Sequence, residues 1–313
     1  MRVYQSTLTL RSSSASPWQA DTLFGHLCWF IARRDGTETL EKFLKRYMVR
    51  QGDGDPPVLL SDGFPTGYLP RPIWVREAPA NDLPKDQRVM RQQEMKRRYE
   101  SSWLTLAQFN QWRRGEDLEP STLADQAQAL IYPHTTTRNW VNRLTDTAGD
   151  PFDMREIILP RLTIYWRIED ESLSLVEDFL IDLMESGYGK RKSIGYGQVE
   201  SFTLPELFSG FADVVNANGF VTLSRFVPAP DDPTDGFWNA VVKYGKVGEA
   251  FASDKNPFKK PLVQLECGSC FRDPAPRQWY GQLISGLSWR DEVKQYAFAF
   301  PLPIRFLGGT SPE

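Results

Sequence analysis

Gly187-Tyr188-Gly189-Lys190-Arg191-Lys192-Ser193-Ile194-Gly195-Tyr196-Gly197 is the stretch on which the reading of this chain turns. Its glycines permit positive φ and close approach of a second backbone, and successive N–H groups in such a turn can form an anion-binding concavity. Lys190, Arg191 and Lys192 add charge at the tip. Immediately upstream, Leu173, Val176, Leu180 and Leu183 repeat at helical spacing and predict a helix over Ser172–Met184; Arg161–Ile168 before it and Gln198–Leu204 after the loop read as strands. The glycine-rich loop therefore joins a helix to a strand.

Working outward, Val3–Leu10 alternates like a half-buried strand and Arg11-Ser12-Ser13-Ser14-Ala15-Ser16-Pro17 is a polar connector. Asp21 is placed to cap a helix carrying Leu23, Leu27, Phe30 and Ile31, and Thr37 a second with Leu40, Phe43, Leu44 and Tyr47. Residues 52–84 are rich in Pro and Gly and read as loops with short extended pieces. Lys85–Arg114 turns helical and basic around Met95, Trp103, Leu106 and Phe109, and extended structure resumes over Leu130–Thr147. The resulting order is that of a split βαβ, a ferredoxin-like α+β plan with an antiparallel sheet and two helices on one face. A linker is expected from Pro205, followed by a strand at Phe220–Phe226, a helix at Asp235–Tyr244 and extended runs at Pro261–Glu266 and Lys294–Phe306. The expectation is two ferredoxin-like (βαββαβ) domains in tandem, 1–204 and 205–307, an insertion over about 72–130 in the first, and a loose tail at 308–313.

With 313 residues, 41% of them hydrophobic and 13% aromatic, the chain can build packed cores and is not disordered. No run approaches the ~20 apolar residues of a membrane span, and the first residues lack the apolar core of a signal peptide, so a cytoplasmic protein is expected. The net charge of −3 neither demands nor forbids a polyanionic partner; what matters is where the bases cluster. Three cysteines exclude a disulfide framework, and two histidines leave little for metal ligation or general-base chemistry.

The spacing of the glycine-rich loop excludes a Walker A loop and a dinucleotide fingerprint, so no nucleotide cofactor is expected. A phosphate backbone met by loop amides and cations, with Tyr188 and Tyr196 as stacking faces, suits it better; the plain alternative is a turn with solvated charges. A second cluster offers Arg138, Asn139 and Arg143 to phosphates and base edges and Trp140 as a stacking face, against the alternative of a strand with solvated arginines. Cys267-Gly268-Ser269-Cys270 has no second ligand pair and reads as small cysteines in a turn, without metal. His26 and His134 read first as packed or capping imidazoles, and the basic Lys85–Arg114 as a solvated surface or a protruding arm.

Together these pieces resemble the RAMP family of CRISPR effector complexes. More narrowly the chain is similar to the Csm-four subunits of type III-A complexes, in the Cas-five group. That narrower resemblance is carried in order by Ala20-Asp21-Thr22-Leu23-Phe24-Gly25-His26-Leu27, by Arg138-Asn139-Trp140-Val141-Asn142-Arg143-Leu144-Thr145-Asp146-Thr147, by Leu223-Ser224-Arg225-Phe226-Val227-Pro228, by Lys243-Tyr244-Gly245-Lys246-Val247-Gly248, by Phe258-Lys259-Lys260-Pro261 and by Gly268-Ser269-Cys270-Phe271. The resemblance implies a non-catalytic subunit without cofactor that holds the 5′ handle of the crRNA and caps the foot of the complex. It implies contacts with the large Palm-domain subunit and the repeated backbone RAMP subunit, and a thumb-like arm between Pro72 and Leu130. The residues expected at RNA are Arg138, Asn139, Arg143, Gly187, Gly189, Lys190, Arg191, Lys192, Ser193, Gly195, Lys243 and Lys246, with His26, Tyr188, Tyr196 and Trp140 as auxiliaries. Asp146 stands where similar sequences carry glycine. RAMP relatives also include metal-independent crRNA-processing ribonucleases, for which His26 or His134 would supply the acid and base.

Overall fold

The computed structural model describes residues 1–48, 55–73, 102–116, 118 and 131–306. In chain order its main elements are β1 (Arg2–Leu10), α1 (Ala20–Asp35), α2 (Thr37–Lys45), β2 (Val58–Leu60), α3 (Leu106–Arg113), β3 (Tyr132–Arg138), β4 (Phe152–Ile158), β5 (Arg161–Ile168), α4 (Leu173–Ser186) and β6 (Val199–Phe202). They continue with β7 (Gly219–Thr222), β8 (Gly236–Phe237), β9 (Ala240–Lys243), β10 (Leu262–Leu265), β11 (Cys270–Arg272), β12 (Tyr280–Ile284), β13 (Gln295–Ala299) and β14 (Pro301–Ile304).

Alternation in β1 buries Tyr4, Ser6, Leu8 and Leu10, as a strand with one face on a core must. It lies centrally in an antiparallel sheet ordered β6-β1-β5-β2, with α1 and α4 in the two crossovers. Every residue of β5 after Arg161 is buried because both faces of the sheet are covered. Trp166 faces Phe179 of α4, while Tyr165 packs on Phe208 and Phe211. Arg167 is sealed in as well; burial pushes it down to about 10, and its guanidinium donates to the carbonyls of Gln278 and Pro301.

The second half repeats the strand order without the helices. Its sheet runs β14-β7-β11-β8, again antiparallel, but among the described residues after Pro205 there is no α-helix. Hairpins β9–β10 and β12–β13 occupy the later connections. The helix expected over Asp235–Tyr244 is therefore corrected to strands β8 and β9: the Val241-Val242 pair favours extended backbone, and β9 is held in register against Leu262–Leu265. Helical cover comes instead from the first half, where Phe24 of α1 lies 4.6 Å from the ring of Tyr296, and one continuous core includes Tyr4, Trp166, Leu223, Phe298 and Ile304.

Two caps differ from expectation. Helix α1 begins at Ala20, whose N–H donates to Asp62 at 2.8 Å, so Asp62 takes the role read for Asp21. Gly36, not Thr37, precedes α2. Of the expected insertion, residues 74–101, 117 and 119–130 lie outside the described residues, as does the tail from 307. Arg113, read as solvated, is instead buried at the end of α3, where it donates to the Pro303 carbonyl. No helix among the described residues is long and apolar enough to cross a membrane.

Candidate nucleic-acid interface

The serine connector after β1 organises the site. On one side Ser14 pairs with Ile157 of the β3–β4 hairpin through both backbone hydrogen bonds, at 2.9 and 2.8 Å. Ser13 also donates its hydroxyl to Glu156, which receives Thr136 of the opposing strand; these bonds hold the Glu156 carboxyl below the usual range. On the other side Ser13 O accepts from Gly197 N at 2.8 Å, Ser16 Oγ accepts from Lys190 N at 3.3 Å and Ser12 Oγ from Gln198 N at 2.9 Å. The hydroxyls of Ser12 and Ser16 accept from the amides of Gln198 and Lys190, which alanines in those places would leave without these partners. The connector thus seats both the hairpin and the glycine-rich loop.

Glycine is required where the loop folds back. Gly187, Gly189, Gly195 and Gly197 all have positive φ, and a Cβ on Gly197 would stand 2.1 Å from the Tyr188 carbonyl oxygen. This tightness corrects one expectation: the amides of Gly189 and Gly195 are turned inward. Gly189 N donates to His26 Nε2 at 2.9 Å and Gly195 N to the Lys192 carbonyl at 3.1 Å. Those two amides are therefore spent inside the protein, and the loop offers the side chains of its basic tip to a ligand.

Tyr188 is also corrected. Its ring is fully buried and stacked on Trp18 at 3.8 Å, and its hydroxyl accepts from Gln19 N and donates to Pro17 O. It is a core residue that anchors the loop and has no face for a base. Tyr196 is only 5% exposed, with the Arg138 guanidinium 5.5 Å above its ring. His26, accepting from Gly189, is kept neutral: burial first, then Lys192, pushes it down to about 4. As a committed acceptor it is unsuited to general-base work.

The cations divide into two groups. Lys243 reaches 2.5 Å from the buried Asp21 and also donates to Gln19 and Thr22, so it serves the contact between halves and is corrected as an RNA candidate. Lys192 is held 2.5 Å from Glu249, which also faces Arg33; burial alone would raise the Glu249 carboxyl, but pairing with Lys192 leaves it lowered. By contrast Arg138, Arg143 and Lys190 are exposed and have no acid partner among the described residues. Asn139 and Ser193 are exposed beside them, Trp140 is 58% exposed, and half-buried Arg191 touches Met154 Sδ of β4. Arg138 over Tyr196 and Arg191 on Met154 draw the two predicted clusters onto one surface. At the hairpin tip Asp146 has φ of 55°, the left-handed conformation for which glycine is suited, and Leu144 is 96% exposed. Lys246 is exposed and stands above Phe258.

Sequence reasoning missed Glu156, Ser13 and Ser16, whose role depends on partners far along the chain. Arg155, exposed on β4 and without an acid partner among the described residues, was also missed; its position two residues from Asp153 in an alternating strand was the available signal. Among the described residues no group of three His, Cys, Asp or Glu could hold a metal ion, and Cys267 and Cys270 are free thiols.

No protein-family model matches the sequence. No curated protein matches it either. Solved structures do match over almost the whole chain. A chain of the Csm3-Csm4 subcomplex of the type III-A CRISPR-Cas interference complex has a TM-score of 0.63 at 13% identity, covering 97% of this chain and 100% of that one. Chains of the Csm1-Csm4 cassette in complex with AMPPNP and with cA4 each have a TM-score of 0.61, at 19% and 18% identity, covering 98% of this chain and 100% of those. The chain has the fold of these CRISPR-complex subunits, in keeping with the RAMP resemblance read from its sequence.

Proposed function

We propose that this chain is a Csm4-like RAMP subunit of a type III CRISPR effector complex, non-catalytic, whose task is to hold the 5′ handle of the crRNA at the foot of the assembly. Supporting the assignment are the shared fold over 97% of the chain and the family-ordered motifs. The observation that carries RNA binding is the docking of the hairpin and glycine-rich loop on one serine connector, which leaves Arg138, Arg143 and Trp140 of the hairpin and Lys190 of the loop exposed, the three cations without an ion-pair partner among the described residues.

In this reading Lys190, Arg138 and Arg143 meet phosphates, Asn139 and Ser193 donate to sugar or base edges, and Trp140 stacks on an unpaired base. The amides contribute rigidity, since they hold the loop in one shape. The large Palm-domain subunit and the repeated backbone subunit are the protein partners.

The test is binding of handle-bearing RNA by wild type and by the Lys190→Ala, Arg138→Ala, Arg143→Ala triple variant across a salt series. Losing three contacts to a single strand lowers the slope of log affinity against log salt by about 2, at roughly 0.7 per phosphate. An unchanged affinity and slope would refute the assignment. Incubation with repeat RNA in chelator should leave the RNA intact; cleavage lost on His26→Ala or His134→Ala would make the chain a ribonuclease instead.

A further inference from the structure

A second surface lies on the stretch from Tyr244 to Lys260. Tyr244 is 78% exposed and Phe258 65%, although rings of this size are ordinarily covered in a folded chain. Lys246 stands over Phe258 with Nζ 5.8 Å from the ring centroid, and the backbones of the two residues pair in a bridge. The stretch contains two acids, and both are engaged by cations from outside it. Glu249 is taken by Lys192 and Arg33, and Asp254 by Arg290 at 2.6 Å. Lys246, Lys255 and Lys260 are exposed and have no acid partner among the described residues.

Cations left over beside open rings specify a ligand. A partner protein covering this surface would have to desolvate three ammonium groups for which the chain supplies no counter-charge. A single nucleic acid strand brings a phosphate for each lysine and a π-face for each ring, whatever its base sequence. Position favours the same occupant. Glu249 follows Lys246 by three residues and grips Lys192 of the glycine-rich loop, so the surface abuts the interface already described.

We infer that Tyr244, Phe258 and the lysines at 246, 255 and 260 form a stacking platform for single-stranded RNA, extending the surface of the glycine-rich loop across the Lys192–Glu249 pair. The inference rests on the RNA-binding reading above and adds a sequence-tolerant contact from the second half of the chain. The platform holds RNA by ring and phosphate, with no base-edge readout.

The experiment measures binding of fluorescein-labelled single-stranded RNA, bearing the handle and extended stepwise in length, to the full-length protein. Tyr244→Ala with Phe258→Ala is expected to weaken the longer RNAs by about tenfold or more, in line with loss of base–aromatic stacking. Tyr244→Phe with Phe258→Tyr keeps both rings and restores binding. Replacing Lys246, Lys255 and Lys260 with alanine lowers the salt slope by about 2. All five positions are exposed, and an unchanged melting temperature verifies that each variant is folded. Should these variants bind as wild type while the Lys190→Ala, Arg138→Ala, Arg143→Ala variant is weakened, the platform is overturned and the handle reading stands; should that variant also bind normally, both fall. Loss of co-purifying subunits with RNA affinity intact would make the surface a protein contact and overturn the inference.

Discussion

Gly189 donates its backbone N–H to Nε2 of His26 across 2.9 Å, so the first turn of the glycine-rich loop depends on an imidazole that must stay unprotonated. In the fold His26 is pushed down to about 4 from 6.5. A lowered histidine leaves stability intact above the unfolded value and loses it as pH falls, because the unfolded chain takes up the proton first. Between pH 6.5 and 4 the wild type should therefore lose about 3 kcal/mol more than a His26→Gln variant, which keeps an acceptor and cannot charge. Urea unfolding of both proteins across that range measures the difference; parallel curves would remove His26 from this role.

Asp62 behaves in the opposite sense. Burial pushes its carboxyl up to about 7 despite the hydrogen bond from Ala20 N. The native state then holds a proton that the unfolded chain releases above 3.8, so this contribution falls as pH rises from about 4 to 7. Asp62→Asn keeps an acceptor for the helix start and should be more stable than wild type above pH 7 by about 2 to 4 kcal/mol. Thermal unfolding at pH 3.5, 5 and 8 checks it: no gain at pH 3.5, a smaller one at pH 5 and the full gain at pH 8 are expected.

Tyr188→Phe keeps the stack on Trp18 and removes the hydroxyl that serves Gln19 N and Pro17 O. The loss should be about 1 to 3 kcal/mol, since Gln19 N is left buried without its acceptor. RNA affinity of the folded fraction should not change. A phenylalanine variant with full stability and weakened RNA binding would make the Tyr188 hydroxyl an RNA contact and overturn its reading as a core anchor.

Two glycines of the loop should respond differently to alanine. At Gly197 the Cβ would meet the Tyr188 carbonyl at 2.1 Å, whereas at Gly195, also at positive φ, nothing lies within 4 Å. Gly195→Ala should cost about 1 kcal/mol of backbone strain, and Gly197→Ala well over 2 because main chain must move. Equal losses in denaturant melts would contradict the described loop.

Glu249 holds Lys192 at 2.5 Å and shares itself with Arg33 at 3.7 Å. Glu249→Gln releases a cation at the RNA interface and should raise affinity for handle RNA severalfold at low salt, the gain shrinking as salt rises. Filter binding at two ionic strengths measures it; weaker binding would mean that Glu249 positions the loop for RNA.

Much of the first half was legible because its signals are local. The β5 strand spans Arg161–Ile168 as its composition predicts, and α4 begins one residue after the expected Ser172. What failed needed distant partners. Lys243 was read as free because Asp21, its partner, is 222 residues away. Tyr188 sits between glycines and beside a basic run, which marks a surface, yet its ring fills a hole beside Trp18. Strand β9 reads as a helix in sequence because the short apolar run Ala240-Val241-Val242 fits either period. The exposure of Arg138, Arg143 and Trp140 was legible, since arginines and a tryptophan in a polar extended segment have no core to enter.

A sheet that borrows its helical roof is not a portable module. Because the second half lacks an α-helix among its described residues and lays Tyr296 and Phe298 against Phe24 and Tyr47 of the first, excision at Pro205 would uncover aromatic surface on both fragments. Either half expressed alone should precipitate or cling to chaperones, and a reporter domain inserted at the junction should do the same.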